Sequence, residues 1–148
     1  KIIWEVKMNI GDAARLSGVS AKMIRYYEEV GLIPSVSRTE AGYRIYKDAD
    51  VYKLHFIRRC RDLGFSLSQA GELLSLWGNH SRQSADVKSI VESHINDLTL
   101  KIEEFQRMAS ILTTLSACCA GNEKPDCPIL KALYLADTSH LQDIESCP

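Results

Sequence analysis

Two sets of residues in this 148-residue chain carry side chains that could do chemistry. The first is a thiol pair. Cys119 and Cys127 flank a stretch in which Gly121, Asn122 and Pro125 mark a loop. Zinc favours a tetrahedral ligand set, commonly assembled from close pairs, and the chain has no Cys-x-x-Cys and no matching histidine pair. Two thiolates suit a soft monovalent d¹⁰ ion, Cu(I), Ag(I) or Au(I), in a near-linear S–M–S arrangement. Such a site keeps a surplus negative charge. Pro128 stands where a helix would begin, so Cys127 would sit at a helix N-terminus whose unpaired N–H groups and positive dipole end face that charge. Two ordinary thiols, or a pair that closes to a disulfide under oxidation, would show the same spacing. The residues alone leave these readings open.

The second set is basic and aromatic: Lys22, Arg25, Tyr26, Tyr27, Arg38, Tyr43, Arg44 and Arg61. Arginine pairs with phosphate or grips a base edge in bidentate fashion, and tyrosine supplies a hydroxyl to phosphate. Lys22 falls near the start of a short helix, where a recognition helix presents side chains to bases. Any one of these could be a solvated surface charge, and one of the two adjacent tyrosines should belong to the core.

The remaining candidates read as structural. Cys118 adjoins Cys119, so both cannot easily reach one ion, and it is taken as a packing residue or spare thiol. Cys147 lies near the end of the sequence as a further thiol. Cys60, between Arg59 and Arg61, reads as a small core residue. His55, His80, His94 and His140 are scattered without ligand spacing. No nucleophile–base arrangement or phosphate-binding glycine loop is present, which argues against an enzyme.

These residues need elements to position them. The opening residues 1–7 are set aside as an extension, with Met8 a natural beginning. A short helical face (Ala13, Ala14, Leu16) ends at Ser17-Gly18, and Ser20 caps a second helix that stops before Gly31. Two short helices across a tight turn make a helix-turn-helix. Polar residues up to Gly42 followed by Tyr43-Arg-Ile-Tyr46 predict a small hairpin, a wing. Asp48 or Asp50 then caps a third helix, and Ser66 or Ser68 opens a fourth that closes at Gly78, giving a DNA-binding domain over residues 8–78. From residue 81 to 117 the pattern changes. Val91, Leu98, Phe105 and Leu112 recur every seventh position with Ile95, Ile102 and Ala109 between them, the a/d seam of a coiled coil. A helix of roughly 30 residues spans about 45 Å, too long to fold back on so small a domain, so it requires a partner. Residues 118–136 form the thiol loop and a short helix, and 137–148 a tail without clear period.

Bulk properties agree with this division. The chain is 45% apolar and 25% charged, ordinary for a folded soluble protein. Residues 1–78 hold 12 Lys/Arg against 9 Asp/Glu, and residues 79–148 hold 6 against 10. A polyanion partner therefore belongs to the front half. Five cysteines, an odd number, fit a reducing compartment better than a disulfide framework, and the charged opening does not read as a secretory leader. The expectation is a cytoplasmic protein that does not enter a membrane.

In combination the strings Met8-Asn-Ile-Gly, Met23-Ile-Arg-Tyr-Tyr-Glu-Glu-Val-Gly-Leu32, Arg38, Gly42-Tyr-Arg44, Arg58-Arg-Cys-Arg-Asp-Leu-Gly-Phe65, Ser84-Ala-Asp-Val87 and Asp126-Cys-Pro-Ile129 resemble the MerR family of bacterial transcription regulators, and within it the branch that senses copper, silver and gold. The resemblance runs from Met8 to about Leu133. It implies a mainly α fold: a winged helix-turn-helix, a long antiparallel coiled-coil dimerisation helix and a short metal-binding loop and helix. It implies a homodimer on promoter DNA that works with RNA polymerase. Binding of one Cu(I), Ag(I) or Au(I) per subunit to Cys119 and Cys127 would favour a conformation that bends and untwists an over-long promoter spacer.

Ser84 bears on the choice of metal. In the family's divalent branches a cysteine at this position is contributed across the dimer; serine removes that thiolate and implies a monovalent ion, while also serving as a helix N-cap. Ala120 and Pro125 are closer to the gold-sensing relatives than to the copper regulator. The sequence departs from the copper regulator at Leu141 to Pro148, where a Cys/His-rich tail is replaced. Two alternatives stand beside this reading: a divalent sensor using Cys118, Cys119, Cys127 and Cys147, and a thiol redox switch. A multidrug-binding relative would need an effector domain that the residues after the coiled coil are too few to enclose.

Overall fold

A computed structural model describes residues 7–79, 81, 83–119, 121 and 127–135. It consists of two compact units, Lys1–Val91 and Glu92–Pro148. The chain is helical: α1 (Ile10–Ser17), α2 (Ala21–Glu29), α3 (Asp48–Asp62), α4 (Leu67–Gly78), α5 (Ser84–Cys118) and α6 (Pro128–Leu135). Within the first unit α1 packs on α2 and α3, and α3 on α4.

The helix starts follow local side-chain chemistry. Asn9 accepts from the Asp12 N–H at 3.0 Å, and Ser20 from the Met23 N–H at 3.3 Å. Ser66, rather than Ser68, opens α4 through a reciprocal box with Gln69: each side chain accepts the other residue's N–H, at 3.1 and 2.9 Å. At α3 the cap acts from inside the helix, where the Asp50 carboxylate accepts the Lys47 N–H at 3.0 Å. The turn between α1 and α2 passes through Gly18 in the left-handed region, φ 70°. A Cβ there would also collide with the Arg58 guanidinium. Buried Ser17 ties the same turn, donating to the Ala13 carbonyl at 2.6 Å and accepting the Val19 N–H at 3.2 Å.

The wing forms as a minimal antiparallel hairpin: the Thr39 N–H donates to the Tyr43 carbonyl and the Ile45 N–H to the Ser37 carbonyl, both at 2.8 Å. Its pairing is confined to single bridges, Arg38 with Arg44 and, beyond the turn, Met8 with Tyr46. Tyr46 exchanges both backbone hydrogen bonds with Met8, 2.9 and 2.8 Å, so the returning arm pairs with the residue that precedes α1. Met8 and Tyr46 both lie in the core, so this pairing buries the two side chains together.

That core joins Met8, Ala13, Val19, Ile24, Tyr27, Ile33, Tyr46, Leu54 and Ile57. A second cluster, Cys60, Phe65, Ala70 and Leu73, packs with Phe56, Val87 and Ile90. The first turns of α5 thus belong to the N-terminal unit, past the boundary expected at Gly78. Ser84 is the first residue of α5 and not its cap, a correction to the N-cap role expected for it.

Helix α5 has 35 residues, about 52 Å at 1.5 Å per residue. Its seam positions Val91, Ile95, Leu98, Ile102, Phe105, Ala109 and Leu112 are all exposed in the single chain. In the second unit, Leu115, Ala132 and His94 are buried. Among the described residues no helix is long and apolar enough to cross a membrane.

Candidate nucleic-acid interface and thiol pair

Helix α2 separates its faces cleanly. Ile24 and Tyr27 point into the core, while Lys22, Arg25, Tyr26 and Glu29 are exposed at helical spacing on the other side. Tyr26 and Tyr27 cannot share a face, because consecutive helical residues point about 100° apart. Tyr27 is 5% exposed and Tyr26 43%. Tyr27 is therefore a correction to the expected contact set: its ring is core, and burial raises its phenol pKa against the opposing influence of Arg61.

The wing brings up the remaining cations. Gly42 turns at φ 84°, and the Gly42 N–H donates to the Thr39 carbonyl at 2.8 Å. Arg38 Nη1 donates to the Gly42 carbonyl at 3.2 Å, which holds the base of this turn. Tyr43 projects from it, 73% exposed. Arg44 lies back toward α2. Arg25, Glu28, Glu29, Ser35, Val36, Arg38 and Arg44 together line a concavity of about 440 Å³ between the recognition helix and the wing. Arg61 is exposed and also closes the end of α3, with Nη1 donating to the Phe65 carbonyl at 2.6 Å. The exposed set thus comprises Lys22, Arg25, Tyr26, Arg38, Tyr43 and Arg61, with Arg44 half-buried.

Glu28 was missed by the sequence reading, which looked only for cations. Its Oε2 accepts from Arg44 Nε at 2.5 Å and its Oε1 from the Val36 N–H at 3.2 Å. The hydrogen bond to Glu28 is the main cause of a raised Arg44 pKa. The available signal was a pair of acids, Glu28 and Glu29, at the end of a helix that also carries Lys22 and Arg25. Tyr46 is a second omission. Its hydroxyl is the one buried side-chain polar atom without a partner among the described residues, and desolvation raises its pKa.

In the second unit, Cys119 follows α5 directly and Cys127 precedes α6 directly. Both are half-buried free thiols. Pro128 is the first residue of α6, and the Cys127 carbonyl accepts the Lys131 N–H at 3.1 Å, which makes Cys127 the residue flanking the helix start. Cys118 is disulfide-bonded, which corrects its expected status as a spare thiol. Cys60 is buried, and burial pushes its thiol pKa up. Among the described residues no three His, Cys, Asp or Glu side chains cluster as a metal cage. Ala120, Pro125, Cys147 and the tail 137–148 lie outside the described residues.

The description "MerR HTH family regulatory protein" matches residues 8–76, and "MerR, DNA binding" matches residues 51–115. The chain is 52% identical over 126 residues to the "heavy metal-dependent transcription regulator 2" of Rhizobium meliloti (strain 1021), covering 85% of this chain and 86% of that one. It is 40% identical over 126 residues to the "HTH-type transcriptional regulator CueR" of Escherichia coli O6:H1 (strain CFT073), covering 85% and 93%. Among solved structures, the transcription regulator PbrR691 of Ralstonia metallidurans CH34 in complex with lead(II) superposes with TM-score 0.75 at 29% identity, covering 85% of this chain and 98% of that one.

The chain belongs to the MerR family of helix-turn-helix transcription regulators. It is a DNA-binding regulator and not an enzyme.

Proposed function

We propose that this protein is a metal-dependent transcription regulator that binds promoter DNA as a homodimer in the cytoplasm and activates RNA polymerase when one Cu(I), Ag(I) or Au(I) occupies Cys119 and Cys127 in each subunit. Metal dependence is supported by relatives named as heavy-metal-dependent regulators and by the relative named CueR. The observation that carries the monovalent reading is the thiol pair itself. Cys119 and Cys127 are free and half-buried, and Cys127 flanks the start of a proline-initiated helix.

That donor set fits a two-coordinate ion. Two thiolates around a monovalent cation leave a net negative charge, and the first N–H groups of α6 lack intrahelical acceptors and face the Cys127 side. Cys119 and Cys127 would hold the ion, which would supply a soft, thiolate-seeking Lewis acid at the end of α5 and the start of α6. The chain's own residues do the rest: α5 offers a seam for a second copy, α2 and the wing hold DNA, and a change at the thiol loop biases the dimer toward a conformation that bends the promoter.

The lead-bound relative favours a divalent reading. One feature of this chain opposes it: Ser84 stands where, by the family resemblance, the divalent sensors carry a further cysteine.

The test is transcription in vitro under reducing conditions, from a promoter recovered by selecting genomic fragments with the purified protein. Cu(I), Ag(I), Au(I), Zn(II) and Hg(II) are titrated in turn. Activation by the monovalent ions with little by Zn(II) is expected. A Zn(II) response equal to that of Cu(I) would overturn the two-thiolate reading, and activation by oxidant without metal would establish a redox switch in its place.

A further inference from the structure

We propose that Glu28 is a positioning residue for DNA binding: it fixes Arg44 so that the guanidinium faces a backbone phosphate seated between α2 and the wing. This inference rests on the DNA-binding reading of the same face and adds a role for an acid within it.

The argument begins with what one carboxylate holds. Glu28 lies near the end of the recognition helix, and its side chain is only 9% exposed. One oxygen accepts the Val36 N–H, in the segment that leads into the wing, and the other accepts Arg44 Nε, on the arm that leaves it. Both arms of the wing are therefore tied to α2 through a single side chain.

The identity of the donor nitrogen matters. Bonding through Nε fixes the plane of the guanidinium while leaving its terminal amino groups for another acceptor. Arg44 retains 29% side-chain exposure, and it lines the concavity together with exposed Arg25 and Arg38 and the Ser35 hydroxyl. Glu28 and Glu29 line it too, so three cations face two acids. With Glu28 paired to Arg44, one positive charge remains in excess of the acids, which suits the single charge of a phosphodiester.

A flexible arginine loses side-chain freedom when it grips a phosphate; one already held by a largely buried carboxylate has lost much of it beforehand. On charge alone, an acid facing DNA weakens binding, and its removal should strengthen it. Positioning predicts the opposite sign.

The measurement is the affinity of the full-length protein for a mixed-sequence duplex of about 30 base pairs over a series of salt concentrations, since phosphate contacts carry no sequence information. Glu28→Gln removes the charge and one acceptor while keeping the shape; Glu28→Ala removes both bonds. Thermal unfolding of each variant monitors the fold, and Glu28→Gln carries the test if Glu28→Ala unfolds.

Both variants should bind about 10-fold more weakly, with a salt slope smaller by about one per subunit. Glu28→Ala combined with Arg44→Ala should bind no worse than Arg44→Ala alone. Unchanged or tighter binding would overturn the proposal. So would a loss that keeps the wild-type salt slope and adds to that of Arg44→Ala, which would make Glu28 a structural tie only. Failure of the unmodified protein to bind the duplex would strike the DNA-binding reading itself, a result separate from any failure at Glu28.

Discussion

The two units of this protein treat their apolar residues in opposite ways. In the N-terminal unit Ile24, Ile33, Leu54 and Ile57 are essentially inaccessible to solvent. Along α5 the seam residues Ile95, Leu98, Ile102, Phe105 and Leu112 face solvent in the single chain. A helix of 35 residues with such a stripe has no means of burying it within itself. The first unit is a fold that one chain completes. The second leaves an apolar stripe uncovered in the single chain, which the proposed dimer would bury. The same contrast runs through the cysteines: Cys60 sits in a packed core, whereas Cys119 and Cys127 flank helix ends and are only partly buried.

The contrast can be broken or sharpened by substitution. The largest effect is expected at the thiol pair. Cys119→Ser or Cys127→Ser should weaken Cu(I) affinity by at least about 100-fold, since even groups that merely support metal ligands cost 10–100-fold. Duplex-DNA affinity should remain at the wild-type level. A competition titration with a Cu(I) chelator, paired with a DNA-binding assay, reads both; loss of DNA binding in step with metal binding would erase the functional separation of the two regions.

Next, Leu54→Ala and Leu98→Ala place one chemical change in each region. Each should cost on the order of 2–5 kcal/mol. The Leu54→Ala loss should be independent of protein concentration beyond what the wild type shows. The Leu98→Ala loss should appear as a rise in the dimer dissociation constant in sedimentation equilibrium, because subunit association adds to stability by mass action. An unchanged dissociation constant for Leu98→Ala would remove the seam from the interface.

A smaller effect is expected at the helix-turn-helix. Ser20→Ala deletes the hydroxyl that accepts the Met23 N–H and should cost about 1 kcal/mol in thermal or urea unfolding. No change would mean that packing of Ile24 and Tyr27 alone sets the start of α2.

The smallest is a pH effect at Cys60. Burial holds its thiol above the ordinary value, so the folded chain keeps the proton where the unfolded chain, from about pH 8.5 upward, gives it up. The unfolded state then binds fewer protons, and stability falls as pH rises. Cys60→Ala should flatten this fall between about pH 8 and 9.5, below the range in which Tyr27 and Tyr46 contribute. An equal fall in the variant would assign the slope to other groups.

Local chemistry was legible in the sequence. The caps at Ser20 and Ser66, the stop at Gly18, the seam of α5 and the proline start of α6 each depend on residues within a turn or two of one another. Such signals act through bonds and periodicities short enough to survive without a fold, and the cysteine spacing around a loop is of the same kind.

What the tertiary structure decided are the relations between distant residues. Tyr27 became core and Tyr26 surface only once α2 had a neighbour to pack against. Tyr46 paired with Met8 because both were needed in one core. Arg61 turned to the Phe65 carbonyl, and Ser84 took its place inside α5. Glu28 was invisible as a functional residue because its partners, Val36 and Arg44, lie 8 and 16 positions away in sequence and meet it only when the wing folds against α2. Composition could show that this face is basic; the fold alone placed an acid where it could aim the cations.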